Sequence, residues 1–372
     1  MPNERPILFF PGVMGSRLYF PAADRFWDPD SSRHMLRWVP VRPIRRDDDN
    51  RRDMHVNQPA GVVVTPLDNQ VTAAEAARGW GGVIWSYYGT ILRDLQNTYP
   101  TAGVYAVGYD WRQRIQWLGM YAAQRIQKAL AVTGATEFSA VTHSMGGLVL
   151  RAAFAVAPAL IALVRKVVHI CQPSAGAVIL YRRLLTGLLR PYDGGGSVSD
   201  RAFRLILGNT RTAFLGNMSG MPGPMQLLPS PFFPAASGPW NPLLPAGPPY
   251  ASGNVPPAIG DGGLTPAVAA DLAARVTDVN AFHKFLVCPE NPALVPKTWL
   301  LYGATSQTET AFTFQNGKAI PTVTAVGDEV VPAVSATALG LPPGQAIGLG
   351  GLKHPEACNN PAVLAAVQAI PL

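Results

Sequence analysis

The sequence predicts an α/β protein built on a mostly parallel, doubly wound sheet, and three observations carry that reading. Short apolar runs alternate with segments of helical periodicity along much of the 372 residues. A tight serine–glycine turn, His143-Ser144-Met145-Gly146-Gly147, joins one such strand to one such helix. The alternation then breaks between about residues 175 and 295, in a stretch too apolar for a linker, which implies an insertion into one domain rather than a second domain.

The elements follow in order. Ile7-Leu-Phe-Phe10 is a buried strand that runs into the glycine loop Pro11-Gly-Val-Met-Gly-Ser16. Residues 20–79 show no clear period and carry Trp27, Trp38 and many Arg and Asp residues, so they read as a cap excursion. Tyr88, Ile91, Leu92 and Leu95 share one face of a helix over residues 87–99. A strand from Val104 to Asp110 and a helix from Gln113 to Val132, stopped at Gly134, come next. The strand Glu137 to Thr142 leads to the serine turn, and Leu148 to Ala157 is helical beyond it. Val164 to Cys171, Lys297 to Gly303 and a weak run from Gln345 to Gly350 are the later strands, and a helix beginning near Asn360 closes the chain. Within the 175–295 insertion, Met218 to Thr265 is dense in Pro and Gly yet rich in Leu, Phe, Trp and Met, as a lid or wall over an apolar site would be.

Composition excludes other classes. Hydrophobic residues make up 48% and charged residues 14% of the chain, which rules out general disorder. The net charge of +7 would suit an anionic surface or an acidic partner, but no basic stripe interleaved with aromatics marks a nucleic-acid interface. The Arg-rich stretch from Arg42 to Arg52 is interrupted by Asp47-Asp48-Asp49 and reads as a solvated loop. Cys171, Cys288 and Cys358 form neither a disulfide framework nor a zinc pattern, and buried thiols are expected. The longest apolar stretch, Ala152 to Val164, contains Pro158 and is too short to span a bilayer. The first apolar run is too short for a signal h-region, so the expected compartment is the cytoplasm, with a secreted mature form left open.

The serine turn carries the chemistry. A serine on a sharp strand-to-helix turn is the nucleophile elbow of the α/β-hydrolase fold, and it lifts the hydroxyl clear of the sheet. The amide of the next residue, Met145, can then face a developing oxyanion at the helix N-terminus. The usual pattern is G-x-S-x-G; here Thr142 holds the first glycine position, while Gly146 and Gly147 let the helix start pack close to the strand. A serine that merely caps a buried helix is the alternative.

An activated serine needs a base, and the base an orienting acid, in the chain order Ser, acid, His. His34, His55 and His143 precede or adjoin the serine, His169 lies inside a strand, and His283 sits on a helix. His354, in Gly350-Gly-Leu-Lys-His-Pro-Glu after the last strand, is the candidate base. Asp328, in Val326-Gly-Asp-Glu-Val-Val-Pro332, is the candidate acid, with its neighbour Glu329 as the fallback. Val13, just after the first strand, is the candidate second oxyanion donor beside Met145, and Met14 would face the acyl group.

Six anchors occur in order: Pro11-Gly-Val-Met-Gly-Ser-Arg-Leu18, Tyr109-Asp-Trp-Arg112, His143-Ser-Met-Gly-Gly147, Gln226-Leu-Leu-Pro-Ser230, Gly327-Asp-Glu-Val-Val-Pro332 and Lys353-His-Pro-Glu356. Together they resemble the lecithin:cholesterol acyltransferase and lysosomal phospholipase A2 family, including its bacterial esterase-like members. The resemblance implies an α/β-hydrolase core with cap and lid insertions, an acyl-serine intermediate, and ester or phospholipid substrates. It carries the nucleophile onto Ser144, the acid onto Asp328, the base onto His354 and the oxyanion donors onto Val13 and Met145. Val13 stands where the lysosomal enzymes have an acidic residue, so an acidic pH optimum is not carried over. Gly-Asp-Glu-Val replaces the more usual Gly-Asp-Gly-Thr, and the lid disulfide of the lysosomal enzymes has no locatable counterpart.

The sequence thus points to a serine hydrolase of carboxylic esters, lipase-, phospholipase- or esterase-like, with acyl transfer to an alcohol left open. Its substrate would be an apolar ester or lipid, taken up with transient contact to a membrane or lipid surface. No metal or organic cofactor is called for, and no nucleic-acid partner. Phe232, Phe233 and Trp240 in the apolar insertion, with Met14, are the candidate substrate-binding residues. Two other readings stand beside this one: an esterase or lactonase for a polyketide or other secondary metabolite, and a non-catalytic lipid-binding protein.

Overall fold

A computed structural model describes residues 5–39, 47–63, 70–187, 206–208, 210–230, 233, 264–315, 318–324 and 326–372. Its centre is a six-stranded parallel sheet. The strands are β1 (Ile7–Phe10), β5 (Val104–Ala106), β6 (Phe138–His143), β7 (Val164–Ile170), β8 (Thr298–Gly303) and β11 (Ala346–Leu349), in spatial order β11-β8-β7-β6-β1-β5. A parallel sheet is covered on both faces, which is why its strands read as unbroken apolar runs rather than alternating ones.

Four helices cover it: α1 (Trp85–Thr98), α2 (Ile115–Thr133), α3 (Met145–Val156) and α7 (Pro361–Gln368). The two-residue period of β1 divides the core. Leu8 and Phe10 pack with the apolar faces of α2 and α3, whereas Ile7 and Phe9 pack with Ile91, Leu92 and Leu95 of α1 and Val363 and Val367 of α7. Helix α2 stops where the sequence indicates, at Gly134 in the left-handed region with φ +66°. Helix α3 starts three residues earlier than its apolar period suggests, directly after Ser144, because packing against the strand ends outweighs the poor helix propensity of Gly146 and Gly147.

The excursion after β1 forms a small antiparallel sheet of β2 (Leu18–Phe20), β3 (Arg25–Trp27) and β4 (Gly61–Val62), in the order β3-β2-β4. Buried Arg17 fastens it to the core, pairing with Asp28 at 2.9 Å and donating to the carbonyls of Gly81 and Val83. The later insertion contains α4 (Val178–Thr186), α5 (Arg211–Ser219) and α6 (Pro266–Phe285), and its described residues Met218, Met221, Met225 and Leu228 are buried in the same core as α2 and α3. Most of the Pro-rich stretch beyond Ser230, with Phe232 and Trp240, lies outside the described residues. An antiparallel pair, β9 (Thr308–Gln315) and β10 (Lys318–Thr324), separates β8 from Asp328. The strand expected from Val104 ends at Ala106, so Asp110 belongs to a loop. Cys171, Cys288 and Cys358 are free, buried thiols. Among the described residues no helix is long and apolar enough to cross a membrane.

Candidate active site

The chain order of the sheet reverses at β1: β5 is added on one side and β6 on the other. In open α/β sheets the crevice at the carboxyl ends of such strands is the ligand site. The glycine loop leaves β1 there and the serine turn leaves β6 there, next to one another. A Cβ placed on Gly12 would lie 3.1 Å from Ser144 Cβ.

Ser144 is buried and adopts φ +53°, ψ −125°, a conformation that non-glycine residues avoid. The turn is anchored by the Ser144 amide, which donates to the Ile170 carbonyl at 2.9 Å. Gly146 permits its tightness: a side chain there would come within 2.3 Å of the Phe10 carbonyl oxygen and 2.6 Å of that of Pro11. At Thr142, where a glycine is usual, the hydroxyl points sideways along the sheet and lies 2.8 Å from His169 Nδ1, its register partner on β7. That contact accommodates the larger residue without entering the turn.

The structure brings the three triad candidates together from separate loops. His354 Nε2 is 2.9 Å from Ser144 Oγ, and His354 Nδ1 is 2.8 Å from Asp328 Oδ2. Asp328 Oδ1 accepts the amides of Val330 at 3.0 Å and Val331 at 2.6 Å. Burial alone would raise the Asp328 carboxyl; the facing His354, the Val331 amide and the Cys171 side chain reverse this and hold it below its ordinary value. An ionised carboxylate can only accept, so His354 carries its hydrogen on Nδ1 and offers the Nε2 lone pair to the serine hydroxyl. The arrangement can therefore remove a proton from Ser144. The fallback acid, Glu329, is not in this chain; it sits at φ +77° and its amide donates to Thr308 Oγ1.

The glycine loop is held from several sides. Tyr109 Oη donates to the Pro11 carbonyl at 2.5 Å, the Gly12 amide donates to Tyr88 Oη at 2.9 Å, and Trp27 Nε1 donates to the Met14 carbonyl at 3.1 Å. Among the described residues neither the Val13 nor the Met145 amide is used in a hydrogen bond. Free donors beside a nucleophile are what an oxyanion would need. Met14 is half-buried at φ +60°, and Phe233 is buried in the cluster that holds Met145.

The Tyr109-Asp-Trp-Arg112 motif acts as a clamp. Arg112 pairs with Asp110 through two contacts, Nε–Oδ1 at 2.8 Å and Nη2–Oδ2 at 2.7 Å. It also donates to the carbonyls of Met54, His55 and Gln58 and lies 4.7 Å over the Phe20 ring, which ties the excursion to the loop beside the site.

Two residues that sequence reasoning passed over adjoin the triad. Tyr88, read as a core residue of α1, faces His143 as well as Gly12. Cys171, at the end of β7, lies with Asp328 and His354 in the one group of three metal-ligating side chains found among the described residues, their ligand atoms within 4.8 Å. The carboxylate and imidazole of that group already satisfy one another, and the thiol is pushed far up by burial, so the donor set does not favour a cation.

No protein-family profile and no curated protein matches the sequence. Solved structures do resemble it. A chain of the Tle4–Tli4 complex is similar over 98% of this chain and 97% of its own, with a TM-score of 0.68 and 18% identity. The mature form of the lipase BlEst2 from Bacillus licheniformis is similar over 100% and 94% of the two chains, at 11% identity and a TM-score of 0.42. The lin2722 product of Listeria innocua is similar over 98% and 92%, at 12% identity and a TM-score of 0.35. With a serine elbow at the switch point of a six-stranded parallel sheet flanked by helices, the chain has the α/β-hydrolase fold.

Proposed function

We propose that the protein is a serine hydrolase of carboxylic esters with an apolar or lipid-like acyl group. The observation that carries this is the unbroken chain from Ser144 Oγ through His354 to Asp328, with the serine on a positive-φ elbow. Ser144 Oγ attacks the ester carbonyl as His354 Nε2 takes its proton. The C=O electron pair moves onto oxygen, and the Val13 and Met145 amides donate hydrogen bonds to the resulting oxyanion. Collapse expels the alkoxide, which takes the proton from His354 and leaves an acyl-serine. Water, deprotonated by the same imidazole, releases the acid and restores the serine; an alcohol in its place would give acyl transfer. Asp328 keeps Nδ1 protonated and stabilises the imidazolium.

Met145, next to the nucleophile, belongs to the buried apolar cluster that also holds Met218, Met221 and Met225, and this surround supports an apolar acyl chain over a polar one. The six ordered sequence anchors support the finer reading, a member of the lecithin:cholesterol acyltransferase and lysosomal phospholipase A2-like group. For an ester held in a lipid surface, the contact we propose is the exposed face of α2 at Trp117, Met120 and Tyr121.

A fluorophosphonate probe tests the core of this reading. The wild type should be labelled and Ser144→Ala should not; equal labelling of the two would sink the assignment. Turnover of phospholipid, p-nitrophenyl esters and a macrolactone then identifies the substrate class. A strong preference for the macrolactone would replace the lipid reading with that of a secondary-metabolite esterase.

A further inference from the structure

His143, the second histidine beside the nucleophile, is not placed to act as a base. Its Nε2 lies 3.1 Å from the backbone carbonyl oxygen of His354, and its Nδ1 lies 3.1 Å from the Tyr88 hydroxyl. A carbonyl can only accept, so Nε2 must carry the hydrogen. In the neutral ring Nδ1 is then an acceptor, and Tyr88 must donate to it. The Tyr88 oxygen in turn accepts the Gly12 amide at 2.9 Å. Only one arrangement of hydrogens satisfies all three contacts with a neutral ring. Burial, reinforced by the nearby His354, lowers His143 to about 3, so the ring is neutral at any working pH.

The chain begins at Gly12, one residue before the proposed oxyanion donor Val13, and ends on the peptide of the proposed base. Gly12 and His354 belong to loops at opposite ends of the sequence, and this path joins them through two buried side chains. Space has been left for it. A Cβ at Gly15 would lie 2.6 Å from Tyr88 Oη, and Gly15 is not among the positive-φ glycines. The same Cβ would lie 2.9 Å from the Gly12 carbonyl oxygen, so the small residue serves both the Tyr88 hydroxyl and the turn that carries Gly12. His354 is fixed on its other side by its own amide, which donates to the Asp328 carbonyl at 2.8 Å.

We propose that Tyr88 and His143 are positioning residues: they set the oxyanion loop and the general base at a fixed separation through the path Gly12 N–H to Tyr88 O–H to His143 to the His354 carbonyl. This rests on the serine-hydrolase reading. Transition-state stabilisation depends on tenths of an ångström between these groups, so loosening the path should slow the chemical step and leave substrate binding almost unchanged.

The test uses the full chain with Tyr88→Phe, His143→Leu, the double variant, and His143→Gln, which keeps one donor and one acceptor. Tyr88→Phe and His143→Leu should each lower the fluorophosphonate labelling rate and the kcat for p-nitrophenyl butyrate about tenfold, with KM within about twofold. The double variant should be no worse than the poorer single one, since both break the same path, and His143→Gln should recover most of the rate. Tyr88→Phe at the wild-type rate, additive losses in the double variant, or a loss carried by KM would overturn the proposal. A wild type that fails to label would instead overturn the hydrolase reading. A measurement on the wild type does not depend on the variants folding: ¹⁵N shifts of the histidine rings should show His143 as the neutral Nε2–H tautomer at pH 7, and the Nδ1–H tautomer would equally refute the path.

Discussion

Ser144 holds a backbone conformation that costs a non-glycine residue roughly 1–3 kcal/mol, and the three bonds around it show what this maintains: an amide tied to Ile170, a hydroxyl on His354, and an imidazole tied to Asp328. At this scale the two adjacent acids are separable. An amide at position 328 would offer N–H to an N–H donor or force the opposite imidazole tautomer, so Asp328→Asn should lower kcat by about 10⁴. Glu329→Gln, outside the chain, should stay within about twofold; steady-state turnover of a p-nitrophenyl ester checks both. The buried imidazoles also set a pH dependence. Burial lowers His143 and His169 to about 3 and His283 to about 4, from an ordinary value of 6.5. Above pH 6.5 folded and unfolded chains alike hold them neutral. Below it the unfolded chain binds protons that the folded chain refuses, so stability falls as pH drops towards 4. Asp328, lowered from 3.8, withdraws its own contribution only below that window. Between pH 7.5 and pH 5 the urea midpoint should therefore fall, and His169→Gln should lose less than the wild type by about 1–2 kcal/mol. An unchanged pH dependence in that variant would show that His169 takes its proton in the folded state.

The elbow is an assembly of elements, and its two glycines are unequal. A methyl at position 146 meets backbone on both sides, the carbonyls of Phe10 and Pro11, whereas one at 147 meets a side chain, that of buried Gln172, from Oε1 back to Cγ. Alanine is the better helix former by about 0.5–1 kcal/mol, so the local preference favours both substitutions and only packing opposes them. Gly146→Ala should destabilise by about 1–3 kcal/mol and slow fluorophosphonate labelling, because the strand end it displaces carries the glycine loop with the proposed oxyanion donor Val13. Gly147→Ala should cost less than Gly146→Ala in urea denaturation, because a side chain yields more readily than two backbone carbonyls. The same contrast between local signal and packing decides what was legible in the sequence. β1, β6, β7 and the α1 face could be read because full burial leaves an unbroken apolar run or a clear 3.6-residue stripe. The three-residue strands β2 and β3 could not, since no period fits in three residues and tertiary partners such as the ring pairs Tyr19–Phe26 and Trp27–Trp111 fix them. The β9–β10 pair left a signal, alternating Thr-rich runs around Asn316-Gly317, that went unread between the Trp299 strand and Asp328. Ser144, Asp328 and His354, which the structure brings together, could be picked out as candidates because triad chemistry admits few residue types in one order. Tyr88 could not, because its place on the buried stripe of α1 already accounts for it.

Across the whole molecule, residues from Val13 to His354 converge at one end of one sheet, and the surface beside that end is unusual. The first turns of α2 expose Trp117 (51%), Met120 (49%) and Tyr121 (36%) on one face. These turns adjoin the site: the Ile115 amide that opens α2 donates to Gln226, and nearby Gly223 packs between the Trp111 and Gln113 carbonyls and the end of the Met145 side chain. Arg114 lies 4.9 Å over the Trp117 ring, and the chain as a whole carries a net charge of +7. Arg114 is already paired with Asp278 at 2.7 Å, so the patch itself offers apolar rings on a chain of net positive charge, which suits an anionic lipid surface where the rings would enter the headgroup region. Co-sedimentation should then show tighter binding to vesicles containing phosphatidylglycerol than to pure phosphatidylcholine, weakening as salt rises. Replacing Trp117, Met120 and Tyr121 together by Ser should weaken binding at least about tenfold, given the apolar area withdrawn. Turnover of a soluble p-nitrophenyl ester should stay within about twofold, because none of the three touches the triad. Binding that survives the triple replacement would move the lipid contact to another face. Lost turnover of the soluble ester would show instead that this face supports the catalytic core.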